Sequence, residues 1–486
     1  MAHLIKINLP GGFVSAGDLY EILLIAENAG ARHIRFGNRQ QLYFTIEESY
    51  LEDLETDMLR TEIHFEIDAD LYPNIVSSYV ADTIFNQEGW LREGVYKDIL
   101  DAFDFQPRLK INLVDNQQSF VPFFSGNINF IASDISNYWF VYIRFPKSAT
   151  HHCCPLLFYS DDIPAIAKAA EEIILDNKKL FYDQKNADEQ LFFKMLAKKT
   201  GTVFQPSTAT LKLPGFQLPY YEGFNKYNNR YWLGIYRRNE LFSLDFLKDA
   251  CLLCLKTRIG QIYTTPWKSI IIKGIETDYR NDWGLILSKY RLNVRHAANE
   301  LNWQIEDICE EGLELKKQLV REFEEADLRT YQLCFAIKTQ PKTGLSGSII
   351  IKKNQEGLYD LLHTKDFNPN SKDYLVYLEQ VKPDVLSSHL VLLCNKFYDL
   401  QSSNLPSQMA LHATDADLKH EKKEEIYQCN NCLTRYDKRY GDQLNGVVQD
   451  IEFATLTDYY CPVCEAPKTE FSLVGSYKQE MFKRTF

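Results

Sequence analysis

Hydrophobic and polar positions repeat one pattern at two places in the chain, 228 residues apart. Each copy predicts a short strand, a helix with one apolar face, and two further short strands. The first copy has the strand at Leu4–Asn8 and the helix at Ala16–Ala29, and the second has them at Trp232–Tyr236 and Leu244–Arg258. The later strands centre on Ile34, Leu42, Ile262 and Ile270. A unit that occurs twice predicts an α+β fold with pseudo-two-fold symmetry.

Small residues mark both ends of the two predicted helices. Ser15 and Ser243 precede them and can accept hydrogen bonds from the first-turn amides. Gly30 and Gly260 follow them, where glycine is favoured because it tolerates positive φ. These two glycines are two places out of the common register.

Alternating apolar residues predict further elements after each copy. In the first half these are strands at Arg108–Val114, Asn127–Ala132 and Tyr138–Phe145, and a helix at Pro164–Leu175. In the second half they are a long polar helix at Asn302–Glu325 and strands at Tyr331–Lys338 and Ser346–Lys353. Residues 401–424 are polar without an apolar period, which predicts a linker.

Composition and charge exclude several classes of protein. The 486 residues are 45% hydrophobic and 25% charged, as in soluble globular proteins of several domains. A net charge of −12 argues against binding to nucleic acid or to an anionic membrane surface. Because the sequence shows neither a long apolar run nor a signal-peptide pattern, we expect a cytoplasmic protein.

Four of the eleven cysteines form two tight pairs. Cys429 and Cys432 make one Cys-x-x-Cys pair, and Cys461 and Cys464 make another after 28 intervening residues. In a reducing compartment such pairs indicate metal ligands, not disulfides. Four thiolates can converge tetrahedrally on one metal ion, and this spacing suits either zinc or iron.

The residues around these cysteines resemble rubredoxin. The likeness includes Tyr427, Tyr436, Asp437, Gly441, Asp442, Phe453, Leu456, Pro462, Lys468 and Phe471. The resemblance implies that the four cysteines hold one mononuclear iron and serve electron transfer. It also implies a water-excluding aromatic core of Tyr427, Tyr436, Phe453, Tyr459 or Tyr460, and Phe471. The alternative is a structural zinc ribbon, which needs no such core.

Two positions depart from the rubredoxin pattern. Rubredoxins usually have glycine after the second cysteine of each pair, where φ tends to be positive. This chain has Leu433 and Glu465 there. Each is expected to cost about 1 kcal/mol, which four metal–thiolate bonds outweigh.

A second resemblance concerns the large N-terminal part, over about residues 1–400. It is carried by Leu9–Gly12, Ile34–Phe36, Asn38–Gln40, Asn74–Ser78, Thr265–Pro266 and Ile270–Gly274. These segments resemble the two ferredoxin-like half domains of assimilatory sulfite and nitrite reductases. In that family the halves clasp a sirohaem coupled to a [4Fe–4S] cluster. The implied fold class is α+β: a repeated reductase-like body with pseudo-two-fold symmetry plus a small rubredoxin-like domain.

The residues that would bind those cofactors are largely replaced. At the positions of the family's four cluster cysteines this chain has Trp303, Cys309, Gln340 and Gly344. Tryptophan, glutamine and glycine cannot replace thiolates at the irons of a cubane. We therefore expect neither the [4Fe–4S] cluster nor sirohaem.

This chain has fewer basic residues at the positions that form the family's anion site. Asn8 and Pro73 stand where the family has arginine. The cations that remain form a candidate vestigial anion or tetrapyrrole pocket: Lys6, Arg35, Arg39, Arg108 and Lys110. Converging cations would stabilise an oxyanion. The alternative is that these are solvated or ion-paired surface charges.

Other reactive side chains suggest structural roles first. The run His151–Cys154 predicts a turn after the preceding strand, with a second metal or redox site as the alternative, because neighbours on an extended chain point to opposite sides. Cys251 and Cys254 are expected in the buried stripe of a helix. Cys309, Cys334 and Cys394 are isolated in sequence and expected to be structural.

These observations divide the chain into predicted segments. The segments are half domain 1 at 1–66, a sirohaem-domain-like part at 67–225, half domain 2 at 226–295, a second sirohaem-domain-like part at 296–400, the linker at 401–424, the rubredoxin-like domain at 425–475 and a tail at 476–486. The predicted function is electron transfer to and from redox partner proteins, on a non-catalytic adaptor that serves assimilatory nitrate or nitrite reduction. The alternative is a divergent sirohaem-dependent reductase fed by its own rubredoxin domain.

Overall fold

The structure is a computed structural model of the chain. It describes residues 2–61, 63–86, 89–201, 205–206, 210–340, 344–411, 424–438, 440–442, 445–449 and 451–477. The chain divides into two compact units, residues 1–397 and 398–486. No described helix is long and apolar enough to cross a membrane.

The first repeat begins the large unit. Its elements are β1 (Ala2–Ile7), β2 (Phe13–Ser15), α1 (Ala16–Asn28), β3 (His33–Phe36), β4 (Leu42–Glu47), α2 (Leu51–Arg60) and β5 (Phe65–Ile67). An α/β segment follows with β6 (Val76–Ser77), α3 (Glu93–Asp101), β7 (Ile111–Val114), β8 (Ile128–Ala132), β9 (Tyr138–Ile143), β10 (His152–Tyr159), α4 (Ile163–Asp176), α5 (Glu189–Thr200) and β11 (Gln205–Pro206).

The second repeat has the same order of elements. It contains β12 (Gly223–Tyr227), β13 (Arg230–Ile235), β14 (Phe242–Ser243), α6 (Leu244–Lys256), β15 (Gln261–Thr264), β16 (Ile270–Ile275) and α7 (Arg280–Lys289). Its α/β segment contains α8 (Ala298–Leu301), β17 (Trp303–Ile305), α9 (Glu310–Glu325), β18 (Phe335–Lys338), β19 (Ile349–Lys353), β20 (Tyr359–Thr364), β21 (Tyr374–Val381) and α10 (Leu386–Leu411).

The two repeats exchange strands, which gives the predicted pseudo-two-fold symmetry. Strand β14 of the second copy joins the sheet of the first copy, with Phe242 opposite Ile34. Strand β2 of the first copy joins the sheet of the second, with Val14 opposite Ile262. Each of these pairs maps onto the other at the 228-residue offset. Helices α1 and α6 contribute buried residues to one shared apolar core, so the half domains stabilise each other.

The predicted serine caps are confirmed, but only one predicted glycine ends its helix. Ser15 accepts from the amide of Asp18, and Ser243 accepts from that of Phe246. Gly30 follows α1 in the left-handed region, with φ of 80°. After α6 the left-handed residue is Arg258, with φ of 59°. Register explains this difference, because Arg258 lies 228 positions after Gly30.

We predict that Arg258→Gly stabilises the large unit by about 1 kcal/mol, since a side chain in the left-handed region is disfavoured. The midpoint of urea unfolding should rise accordingly. Arg258→Ala is the matched control, because it removes the charge but keeps the Cβ atom. An equal gain in the alanine variant would assign the effect to charge and contradict this prediction.

The two α/β segments are built alike. Strands β6, β7 and β8 are parallel neighbours, and β9 and β10 continue that sheet in antiparallel pairing. Strands β17, β18 and β19 are likewise parallel, and β20 and β21 follow antiparallel. The repeat therefore extends beyond the ferredoxin-like half domains.

Three sequence predictions need correction. The helix predicted over Asn302–Glu325 is a helix only from Glu310, because Trp303–Ile305 forms strand β17 beside β18. The turn predicted at His151–Cys154 is the start of strand β10, with His152 opposite Ile143. The predicted linker is helical over 401–411 as part of α10, a strand begins at its last residue, Glu424, and the residues between lie outside the described residues.

The small unit contains a three-stranded antiparallel sheet. Its strands are β22 (Glu424–Cys429), β23 (Arg435–Asp437) and β24 (Phe471–Tyr477), with β22 in the centre. Tyr427 pairs with Tyr436 on one side and with Leu473 on the other. The segment predicted as a tail, 476–486, lies in β24 up to Tyr477 and otherwise outside the described residues.

Candidate metal centre and basic cavity

The sulfur atoms of Cys429, Cys432, Cys461 and Cys464 lie within 4.8 Å of one another. The Sγ atoms of Cys429 and Cys464 are 3.6 Å apart, and those of Cys432 and Cys461 are 3.3 Å apart. Four sulfurs bound tetrahedrally to one metal at about 2.3 Å would be roughly 3.7 Å apart. In the part of the chain that the structure describes, no other cluster of three or more histidine, cysteine or acidic side chains could hold a metal ion.

Two matching turns place these sulfurs. In the first, the amide of Leu433 donates to the carbonyl of Cys429 at 2.9 Å, and in the second Glu465 donates to Cys461 at 2.9 Å. Leu433 has φ of 65° and Glu465 has φ of 57°. The positive φ expected at the two departures from the glycine pattern is therefore confirmed.

The four sulfurs differ in exposure. Cys429 and Cys461 are buried, Cys432 is half-buried and Cys464 is exposed. The outer side of the site therefore reaches the protein surface. The other two ligands anchor the site in the domain interior.

An aromatic core lies beneath the sulfurs. Phe453 stacks on Tyr427 with ring centroids 4.3 Å apart and contacts Tyr436 at 5.2 Å and Phe471 at 5.2 Å. Tyr459 is buried and completes the core, and its hydroxyl donates to Asp442 at 2.8 Å. The sequence did not decide whether Tyr459 or Tyr460 belongs to this core. Tyr460 is 53% exposed, so the core residue is Tyr459.

The four thiolates fit the iron ion that the resemblance to rubredoxin implies. Four cysteine thiolates suit a tetrahedral iron or zinc ion and leave no fifth protein ligand. The buried aromatic rings make the inner side of the site apolar.

A separate cavity of about 190 Å³ lies in the large unit. Its lining includes Arg39 and Lys110 of the predicted anion pocket, together with Gln340 and Gly344, two of the positions where the reductase family has cluster cysteines. Trp303, at a third such position, is buried against the ring of Phe335 at 4.5 Å.

This cavity is a poor fit for a tetrapyrrole. Pockets for drug-sized ligands measure about 300–1,000 Å³, and a tetrapyrrole exceeds most such ligands in size. The cavity bounded by the described residues is smaller than that range. Its walls also carry the carboxylates of Asp70, Glu306 and Asp307, which would repel carboxylate substituents.

The other three cations of the predicted pocket are placed elsewhere. Lys6 is buried in ion pairs with Glu66, at 2.8 Å, and with Asp70. Arg35 pairs with Glu310. Arg108 is exposed. For these three, the alternative of ion-paired or solvated charges is the better description, because partners distant in sequence neutralise Lys6 and Arg35.

Three basic residues that the sequence analysis missed lie close to this region. They are Arg144, Lys338 and Lys372. The charge of Arg144 lowers the pKa of Lys110, Lys338 and Lys372, although burial is the larger cause for each. The pKa of Lys110 falls to about 8 and that of Lys372 to about 7. Arg144, Lys338 and Lys372 each lie at or near the end of a strand, and this position was the only signal in the sequence. The sequence does not show which strand ends of two distant sheets lie close together, so these residues could not be grouped without the fold.

The cavity has a polar lining, and some of the buried polar atoms in that lining have no hydrogen-bond partner among the described residues. Arg39 donates to the carbonyls of Asn74 at 2.7 Å and Ile111 at 2.9 Å. Its Nε atom, Oδ1 of Asn38 and Oε1 of Gln41 are buried without a hydrogen-bond partner among the described residues. Buried polar atoms normally have a partner, so the cavity suits a small polar occupant.

The remaining cysteines behave as the sequence predicts. Cys251 and Cys254 are buried in α6, and Cys334 and Cys394 are also buried. Cys309 caps α9, where its sulfur accepts from the amide of Gly312 at 3.3 Å. In the run His151–Cys154, Cys153 is exposed and Cys154 is buried, as alternation on a strand requires.

Comparison with known proteins supports both resemblances. Residues 426–471 match the rubredoxin family, and residues 2–60 match the nitrite/sulfite reductase ferredoxin-like half domain. The chain therefore carries a C-terminal rubredoxin domain on a nitrite/sulfite reductase-like body. The fold is similar to that of the Mycobacterium tuberculosis NirA protein, with a TM-score of 0.60, 14% identity and 80% of each chain covered. These matches confirm the predicted fold class.

Proposed function

We propose that this chain is an electron carrier whose rubredoxin domain holds one iron atom on Cys429, Cys432, Cys461 and Cys464. The observation that carries the proposal is the set of four convergent sulfurs above an aromatic core, with one side at the surface. Bound there, iron would gain and lose a single electron between its ferric and ferrous states. The chain itself supplies the rigid cage, the dry inner side and the exposed outer side.

We propose further that the body is a non-catalytic adaptor. Of the four positions where the reductase family has cluster cysteines, only that of Cys309 is a cysteine, and the cavity beside Gln340 and Gly344 is small. The likeness of the body to nitrite and sulfite reductases supports a role in assimilatory nitrate or nitrite reduction. Its partners would be a reductase and an electron donor, and a cytoplasmic location would suit them.

Metal analysis and an absorption spectrum of one purified sample test both proposals. We expect about one iron per chain, with ferric–thiolate bands that bleach on reduction. Zinc in place of iron, in protein from iron-replete cells, would contradict the carrier. A sirohaem Soret band, or about five irons with acid-labile sulfide, would contradict the non-catalytic body and favour a reductase fed by its own rubredoxin domain.

A second candidate function is anion binding in the body. The observation that favours it is the basic cluster of Lys110, Arg144, Lys338 and Lys372, none of which forms an ion pair with a described carboxylate. Lys372 donates to the hydroxyl of Ser346 and Arg144 to the carbonyl of Gly126, but burying cations without a paired negative charge is costly, and a bound anion would offset that cost. Of the four, Lys110 also lines the small cavity, and the ligand class that we propose is a small anion such as nitrite or sulfate.

We predict that this binding weakens as pH rises from about 6 to 9. Lys372 and Lys110 lose their charge near pH 7 and 8, so the part of the attraction that these two lysines supply is present below these values and lost above them. An ordinary lysine, with a pKa of about 10.4, would stay charged throughout. Calorimetric titration with nitrite and with sulfate should show affinity falling on the order of tenfold across this range.

Lys372→Met should remove the part of that pH dependence near pH 7 and leave the part near pH 8 that Lys110 supplies. Lys396→Met, at an exposed position on α10, is the matched control and should bind like the unaltered chain. Affinity that does not change with pH, or is equal in the two variants, would refute the anion site without affecting the iron site.

A further inference from the structure

The two metal-binding turns are related by an approximate two-fold symmetry. In the first, the amide of Cys429 donates to the carbonyl of Thr434 at 2.8 Å, and in the second the amide of Cys461 donates to the carbonyl of Ala466 at 2.8 Å. The amides of Leu433 and Glu465 also form matching bonds. Thr434 and Ala466 therefore occupy equivalent positions and differ only in the threonine side chain.

That difference adds one hydrogen bond to a single sulfur. The hydroxyl Oγ1 of Thr434 lies 3.1 Å from Sγ of Cys432. A thiolate that binds a metal carries no proton, so the hydroxyl must be the donor in the loaded site. Alanine has no donor, so Ala466 makes no equivalent bond to Cys464.

The bond is placed where it can influence electron transfer. Cys432 is half-buried and Cys464 is exposed, so the outer side of the site has one sulfur with a side-chain donor and one without. Hydrogen bonds to cluster sulfurs and solvent exposure are the main means by which a protein sets the potential of such a site. The backbone surroundings of the Cys432 and Cys464 sulfurs are equivalent, so the hydroxyl of Thr434 is what makes the two sulfurs different.

We propose that Thr434 is a positioning residue that raises the reduction potential of the iron site through its hydroxyl. This rests on the proposed function, because it requires iron in the four-cysteine site. Negative charge on the sulfurs increases when the site holds the additional electron, and a donor aimed at a sulfur stabilises that state more than the oxidised one. No proton is transferred, since the hydroxyl keeps its proton in both states.

Voltammetry of the full chain with iron bound tests this proposal. Thr434→Val keeps the shape of the side chain but removes the donor, and it should lower the equilibrium constant for reduction about tenfold, which is about 59 mV for one electron. Thr434→Ser keeps the donor and should stay close to the unaltered potential. Ala466→Ser adds a donor at the equivalent position and should raise the potential.

The pattern across these variants decides the outcome. A potential unchanged in the valine variant, or lowered equally in the serine variant, would overturn the role of the hydroxyl. The ferric–thiolate bands should also shift in the valine variant and remain in place in the serine variant. If the valine variant lost its iron, the response of Ala466→Ser would decide the matter: a higher potential supports the proposal and an unchanged one refutes it. Failure of the unaltered chain to bind iron would instead refute the proposed function.

Discussion

Serine in place of Cys464 should remove the iron and the colour of the protein while leaving the large unit folded. A hard, neutral hydroxyl replaces a soft thiolate in a set of only four ligands, so the metal loses affinity. Metal binding and folding are coupled in small sites, where binding contributes about 10 kcal/mol or more to folding. Iron per chain, measured with the absorbance of the thiolate bands, should fall from about one to near zero.

Cys153→Ser is the matched control, because Cys153 is also exposed but lies on β10 of the large unit. It should retain the full iron content and spectrum. Thermal unfolding of the large unit should be the same in both variants, because the two units are separately compact. Retention of both the iron and an unchanged thiolate spectrum by the Cys464 variant would show that Cys464 is not a metal ligand.

Local features of the iron site could be predicted from the sequence because they depend on short spacings. Two Cys-x-x-Cys pairs determine four ligands, and the positive φ at Leu433 and Glu465 follows from the turns that the ligands require. The choice between Tyr459 and Tyr460 could not be made, since neither lies in a regular element whose period would assign it a face. Their opposite burial depends on packing against Phe453 and Phe471.

The repeat could likewise be predicted from the sequence, but its interlocking could not. A 228-residue offset shows that two copies exist, whereas nothing in either copy shows that β2 and β14 change sheets. Charges were the least predictable feature. Lys6 and Arg35 resemble free cations in sequence, yet their partners Glu66 and Glu310 lie far along the chain.

The two copies also differ in one buried contact between equivalent positions. Gly12 and Gln40 of the first copy correspond to Glu240 and Lys268 of the second. In the first copy residue 12 has φ of 78°, and a Cβ atom there would lie 2.2 Å from Nε2 of Gln40, so any other residue would be strained and would displace the Gln40 side chain. In the second copy the same two positions hold an ion pair, with Nζ of Lys268 at 3.0 and 2.9 Å from the carboxylate oxygens of Glu240. A neutral contact in one half is thus an ionic contact in the other.

Removing one member of this pair should be among the most destabilising single changes in the large unit. Lys268 and Glu240 are both buried, and Glu240→Gly leaves the ammonium group with Asp307, at 3.6 Å, as a more distant carboxylate partner, at a cost of up to about 3–5 kcal/mol. The double variant Glu240→Gly with Lys268→Gln reproduces the Gly12–Gln40 pair and should recover most of that loss. Urea unfolding measures each change, with Asp183→Asn at the exposed Lys147 pair as the control expected to cost at most about 1 kcal/mol. A double variant no more stable than the single one would contradict this prediction. It would show that the neutral Gly–Gln pair fits the surroundings in the first copy but not those in the second.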